Sequence, residues 1–252
     1  AEPAAVAVEM LHNFTLLHDD IMDCSPLRRG KPTVFRKYDQ NKAILSGDAM
    51  FACAFKYLLQ CDKEVIPQLT ETLTRGAIEV CEGQGFDMDF ENRQTVSTDE
   101  YLQMIKLKTG VLLSTALRLG AITAKADEKT LNLLDTFGKY IGIAFQIKDD
   151  MLDCWSDLDT FGKVCGADII DRKKTFLYIT ALESATQTQR QELLSLYENT
   201  TLDKDEKIQK VRAIYEQLSV AQKAQKAVEE YNSKAFEALE QIEVAPQRKA
   251  TL

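Results

Sequence analysis

The sequence predicts an all-α protein, a single large helical bundle, and three observations carry that expectation. Glycine and proline are scarce, 11 and 5 of 252 residues, so little interrupts long helices. No run alternates β-branched residues as a strand would, whereas long stretches read as apolar helix. No Pro/Ser linker divides residues 1–252, and one domain built around a central bundle is the economical reading.

The elements follow in order. Residues from about 4 to 24 form one very apolar helix ending in an acidic cluster. Ser25 to Pro32 is a loop punctuated by two prolines and a glycine. Ala43 to Leu59 is helical, and Ile66 to Glu91 continues as helix with an interruption expected near Gly83 and Gly85. Asp99 to Ala124 and Lys129 to Trp155 are two long helices. Ser156 to Asp168 is a loop. From Asp171 onward the chain reads as shorter amphipathic helices with a more charged surface.

The chain writes nearly the same six residues twice. Asp19-Asp20-Ile21-Met22-Asp23-Cys24 recurs as Asp149-Asp150-Met151-Leu152-Asp153-Cys154. Residues four apart share a helix face, so Asp19 lies over Asp23 and Asp149 over Asp153, and like charges so placed oppose the helix. Two acidic clusters on apolar helices call for something positive, and two or three divalent cations are the simplest candidate. His12 precedes Asp19 by about two helical turns. Gln146, Asp149, Asp150 and Asp153 follow the spacing of one face. Arg28-Arg29-Gly30 follows the first cluster, and Lys163, Arg172, Lys173 and Lys174 follow the second. Carboxylates beside Arg and Lys suit a metal-bridged polyanion: magnesium takes phosphate oxygens, and the basic side chains take the rest.

Composition is ordinary for a globular protein, 45% hydrophobic and 28% charged. A net charge of −8 disfavours nucleic acid and anionic membrane surfaces. No apolar run reaches the length of a membrane span. Six cysteines show neither metal-ligand nor disulfide-framework spacing, which fits a reduced cytoplasmic protein with packed thiols. Cys24 and Cys154 are read as small packed hydrophobes. The acidic stretch Asp89 to Asn92 reads as a solvated face, as do Arg172 and Lys174. Gln84 and Asp87 are read equally as second-layer partners of lysines or as purely structural.

The strings LLHDDIMDCSPLRRGKPT, Lys108-Thr109-Gly110 and FQIKDDMLD…FGK…GADIIDRKKT together resemble the trans-isoprenyl diphosphate synthases. The resemblance runs almost the whole chain, and the motifs occur in the family's order. It implies that Asp19, Asp20, Asp23, Asp149, Asp150 and Asp153 hold three Mg2+ ions on the diphosphate of an allylic substrate. Arg28 would grip the same diphosphate, as would Lys108, Lys163 and Lys173. Arg29 and His12 would bind the second substrate, isopentenyl diphosphate. Thr109 and Gln146 would line the place where positive charge develops. Family members also carry a Gly-Gly-Lys-Arg-x-Arg-Pro stretch on helices preceding residue 1. Nothing here matches it, and the expectation is that these residues are part of a longer protein.

The activity so implied is a magnesium-dependent prenyltransfer giving a short-chain trans-prenyl diphosphate. Phe14 and Thr15 lie five and four residues before Asp19, with Leu11 one turn further. One aromatic residue there rather than two resembles enzymes that stop near twenty carbons, so geranylgeranyl diphosphate is the expected product and farnesyl diphosphate the next. The alternatives are a class I terpene cyclase, disfavoured by the intact second aspartate cluster, and a silent regulatory subunit, disfavoured because no aspartate is lost. A homodimer through Ala43 to Leu59 and Ile66 to Val80 is expected from the resemblance.

Overall fold

A computed structural model describes residues 1–156 and 166–249 of the chain. Its elements are helices apart from one small hairpin. They are α1 (Glu2–Met22), β1 (Leu27–Arg28), β2 (Lys31–Pro32), α2 (Val34–Lys37), α3 (Gln40–Leu58), α4 (Ile66–Asn92) and α5 (Thr98–Ile105). A π-helical turn (Lys106–Gly110) follows, then α6 (Val111–Thr123) and α7 (Glu128–Trp155). The remainder is α8 (Ala167–Ile170), α9 (Phe176–Ser184), α10 (Gln187–Glu198), α11 (Lys204–Gln217), α12 (Val220–Glu240) and α13 (Pro246–Lys249).

The chain forms two compact units. The first comprises Ala1–Val80, Val111–Gly138 and Ala238–Leu252, of which residues 250–252 lie outside the described residues. Its core is an apolar cluster in which α1 contributes Ala4, Ala7 and Leu11, spaced as one helical face. Ala54 and Leu58 of α3, Leu69 and Leu73 of α4, and Leu119 and Ile122 of α6 complete it. Small residues on α1 let α3 come close. Gly47 of α3 meets the His18 imidazole, and any Cβ there would overlap the ring.

The second unit comprises Cys81–Gly110 and Lys139–Glu237. Its core gathers Tyr101, Met104 and Ile105 of α5 with Ile143, Ala144 and Ile147 of α7. Helix α9 is buried on every side, with Phe176 through Leu182 all inside, as a central helix should be. Leu193 of α10 and Val211 and Ile214 of α11 close around it.

Three expectations are corrected. Helix α4 is not interrupted at Gly83 or Gly85. Gly83 serves a close approach instead, because a Cβ there would collide with the Lys108 backbone nitrogen. Asp99 to Ala124 is not one helix, since the π turn separates α5 from α6. The turn is seated by glycines: a Cβ on Gly142 would strike the Gly110 backbone, and one on Gly110 would lie 2.9 Å from the Lys139 carbonyl oxygen. The Ser25 to Pro32 loop contains the β1–β2 hairpin, paired Leu27 to Pro32 and Arg28 to Lys31.

Helix α5 starts from a complete capping box. The Glu100 amide donates to the Ser97 hydroxyl at 3.3 Å, and the Ser97 amide donates to the Glu100 carboxylate at 2.9 Å. The Glu100 carboxyl is drawn down to about 2, by Arg93 first and by Ser97 next. Ser97→Ala is expected to cost roughly 1 kcal/mol of stability, measured by urea unfolding. Gly142→Ala is expected to cost about 1–3 kcal/mol, because backbone rather than a flexible side chain must yield.

Candidate active site

The first unit holds the first cluster at the C-terminal end of α1. On a helix, successive residues point about 100° apart, so Asp20 leaves the face shared by Asp19 and Asp23. Asp20 is buried, 4% exposed, while Asp23 is exposed and Asp19 lies between. The Arg28 Nε donates to Asp20 Oδ1 at 2.7 Å, and Arg28 Nη2 donates to Asp19 Oδ2 at 3.0 Å. Burial still pushes the Asp20 carboxyl up, against the pull of Arg28.

The hairpin delivers that arginine. Arg29 and Gly30, its two turn residues, both have positive φ, 53° and 73°. Two left-handed residues match the twist of a tight hairpin, where Asn-Gly is the usual pair. Arg29 takes the first position, exposed and strained. Cys24 also has positive φ, 52°, and is exposed just past α1, so the packed role read for it is corrected; Cys154 is buried as read.

His12 is partly exposed, its Nδ1 4.0 Å from Glu9 Oε2. Thr15 turns its hydroxyl to the His12 carbonyl at 2.8 Å. Leu11 is fully buried in the core. Phe14 stacks in an aromatic row, with ring centroids 5.1 Å from Phe51 of α3 and Phe51 5.2 Å from Phe55.

The second unit holds the second cluster on α7. Asp150 is 4% exposed, and three donors converge on it. The Tyr101 hydroxyl lies 2.6 Å from Oδ2, the Phe176 amide 3.0 Å from Oδ2, and the Gln146 amide nitrogen 3.4 Å from Oδ1. Burial pushes its carboxyl up to about 7 against these donors. Tyr101, fully enclosed, is pushed well above the usual phenol range and stays a donor. Asp149 is partly exposed, and Asp153 is buried with Oδ2 accepting the Asp168 amide at 3.1 Å. Asp168, given no site role in the sequence reading, is a fourth acid here. Burial, then Asp153, Asp150 and Asp149, hold its carboxyl well above the usual range.

The π turn presents the Lys-Thr-Gly motif. The Thr109 hydroxyl donates to Gln146 Oε1 at 3.0 Å, so Thr109, Gln146 and Asp150 form one chain of hydrogen bonds. The Lys108 ammonium sits 2.7 Å from Asp87, which favours the second-layer reading of Asp87. Lys173 sits 2.9 Å from Glu91, which stays exposed as the reading of a solvated acidic face expects and gains an ion pair that this reading did not include. Lys174, also read as solvated, is partly buried and donates to the Glu91 carbonyl at 3.3 Å. Lys163 lies outside the described residues.

Both clusters are hard oxygen donors, and burial disfavours the charged forms of Asp20 and Asp150. A divalent cation nearby would restore them, so the residues fit magnesium. Among the described residues, no three His, Cys, Asp or Glu side chains close a metal cage by themselves.

An all-helical fold that carries the same aspartate motif on two of its helices sets the class of protein. The model of the polyprenyl synthetase family matches residues 1–218, and the chain belongs to that family. It is 43% identical over 207 residues to a short chain isoprenyl diphosphate synthase of Methanocaldococcus jannaschii, covering 82% of this chain and 63% of that one. It is also 43% identical over 187 residues to a geranylgeranyl diphosphate synthase of Methanosarcina mazei, covering 73% and 58%. The chain thus spans less than two thirds of these relatives' length. Among solved structures, a geranylgeranyl pyrophosphate synthase superposes with a TM-score of 0.94 at 45% identity, covering 99% of this chain and 77% of that one. The all-α expectation and the family resemblance are both borne out.

Tyr101→Phe removes the shortest hydrogen bond to a buried carboxylate. It is expected to lower stability by roughly 1–3 kcal/mol, read from urea midpoints.

Proposed function

We propose that this chain carries the catalytic residues of a short-chain trans-prenyl diphosphate synthase that condenses isopentenyl diphosphate with an allylic diphosphate. The observation that carries the reading is the repeated motif, with each copy placing at least one aspartate inside and at least one in reach of solvent, with Arg28 in one unit and Lys108 and Lys173 in the other. Asp19, Asp23 and Asp149 supply the reachable oxygens for magnesium. Asp20, Asp150 and Asp153 add negative charge from inside. Magnesium, when bound, neutralises charge on the diphosphate oxygens.

The protein groups supply the rest. Arg28 in the first unit, and Lys108 and Lys173 in the second, are each cations suited to diphosphate oxygens, which become more negative as the diphosphate leaves. The Thr109 hydroxyl and the Gln146 amide, fixed to each other, set oxygen lone pairs where an allylic carbon becomes positive. Arg29 and His12 bind the second diphosphate. Apolar α1 and α3 keep water from the reacting carbon and house the growing chain. The Phe14–Phe51 contact closes that path near twenty carbons, making geranylgeranyl diphosphate the main product. Exposed Ile44 and Leu45 of α3 and Ile78 of α4 support a homodimer through the segments expected from the sequence; sedimentation at micromolar concentration showing only monomer would rule it out.

The direct test is incubation with magnesium, isopentenyl diphosphate and an allylic primer, followed by chromatography of the dephosphorylated products. A linear prenyl alcohol, lost on chelation, is expected. A cyclic hydrocarbon would favour a cyclase, and no turnover a silent subunit. Asp19→Ala and Asp149→Ala are expected to lose several orders of magnitude in turnover while remaining folded. Phe14→Ala is expected to lengthen the products, and an unchanged distribution would remove Phe14 as the floor.

A further inference from the structure

We propose that Glu91 occupies Lys173 in the substrate-free protein and competes with the diphosphate for it, so that α4 carries an anionic stand-in for the ligand. This rests on the reading of Lys173 as a diphosphate-binding lysine. Asp87 and Glu91 lie four apart in the last turns of α4, on one face. Opposite them stand two lysines from other segments. Lys108 Nζ is 2.7 Å from Asp87 Oδ2, and Lys173 Nζ is 2.9 Å from Glu91 Oε1 and 3.9 Å from Asp87 Oδ2. Two carboxylates thus hold two ammonium groups as the oxygens of one diphosphate would.

The two acids are not held alike. The Asp87 and Lys108 side chains are 16% and 28% exposed, whereas Glu91 is 51% exposed. Asp87 sits deep and holds Lys108. Glu91 is open to water, so it is the partner that can leave at small cost. Its place also needs explaining. Glu91 is next to the last residue of α4, where the helix's own carbonyl end opposes negative charge. Lys173 offsets that charge, and Lys174 donates to the Glu91 carbonyl at 3.3 Å. When diphosphate arrives, Lys173 exchanges one anionic oxygen for another and Glu91 turns to water. The pair keeps the lysines aimed before the ligand binds, at the expense of affinity.

The test is calorimetric titration of the whole chain with inorganic pyrophosphate and magnesium. Glu91→Gln is expected to tighten binding about two- to fivefold, the range an exposed ion pair is worth. The gain is expected to shrink at high salt, because the competing pair is itself screened. Glu82→Gln, an exposed acid earlier on α4, controls for net charge and is expected to change nothing. Lys173→Met is expected to weaken binding. If Lys173→Met weakens binding while Glu91→Gln leaves it equal or weaker, the stand-in is overturned. Equal tightening by Glu82→Gln would also overturn it, as a charge effect without competition. Unchanged affinity in Lys173→Met would overturn the reading of Lys173 itself.

Discussion

Carboxylate charge held inside apolar helices is the constraint on which the rest depends. An uncompensated buried carboxylate is expensive and would protonate rather than stay charged. The fold answers locally at each one. Asp20 has Arg28, delivered by a hairpin whose turn residue Arg29 accepts a left-handed backbone. Asp150 has the Tyr101 hydroxyl, the Phe176 amide and Gln146. These donors only partly offset burial, since both carboxyls remain shifted upward. Under the proposed function, a divalent cation would supply the compensation that is left.

The second constraint is steric. Lys108 and Thr109 lie on a π turn rather than on regular helix, and such turns recur at functional sites. Here the cause is visible: Gly83, Gly110 and Gly142 remove the Cβ atoms that would hold neighbouring backbone away. The turn therefore depends on tertiary contact more than on its own five residues. Asp87 and Gln146 then fix the two side chains it presents.

Much of this was legible in the sequence, and the limits have physical reasons. Helical periodicity located α1, α3 and α7 within a few residues, because long apolar faces are strong local signals. The repeated aspartates, Arg28 and the Lys-Thr-Gly motif were legible as chemistry in a fixed order. The π turn was not, because its glycines look like ordinary helix residues until another helix lies against them. Tyr101 was missed because its bond to Asp150 joins residues 49 apart, across elements no periodicity connects. Glu91 is solvated, as an acidic run usually is, but its ion pair with Lys173 joins residues 82 apart and had no local signal. Asp168 lies inside the GADIIDRKKT string, but its place beside Asp153 joins residues 15 apart and has no periodic signal.

The central claim is that the carboxylates await a metal-bridged polyanion rather than forming a metal cage of their own. It is tested most directly by measuring magnesium binding with and without saturating inorganic pyrophosphate. Magnesium is expected to bind weakly alone and much more tightly with pyrophosphate, with pyrophosphate affinity rising by the same factor when magnesium is present. Tight magnesium binding that pyrophosphate leaves unchanged would contradict the claim, as would pyrophosphate binding indifferent to magnesium.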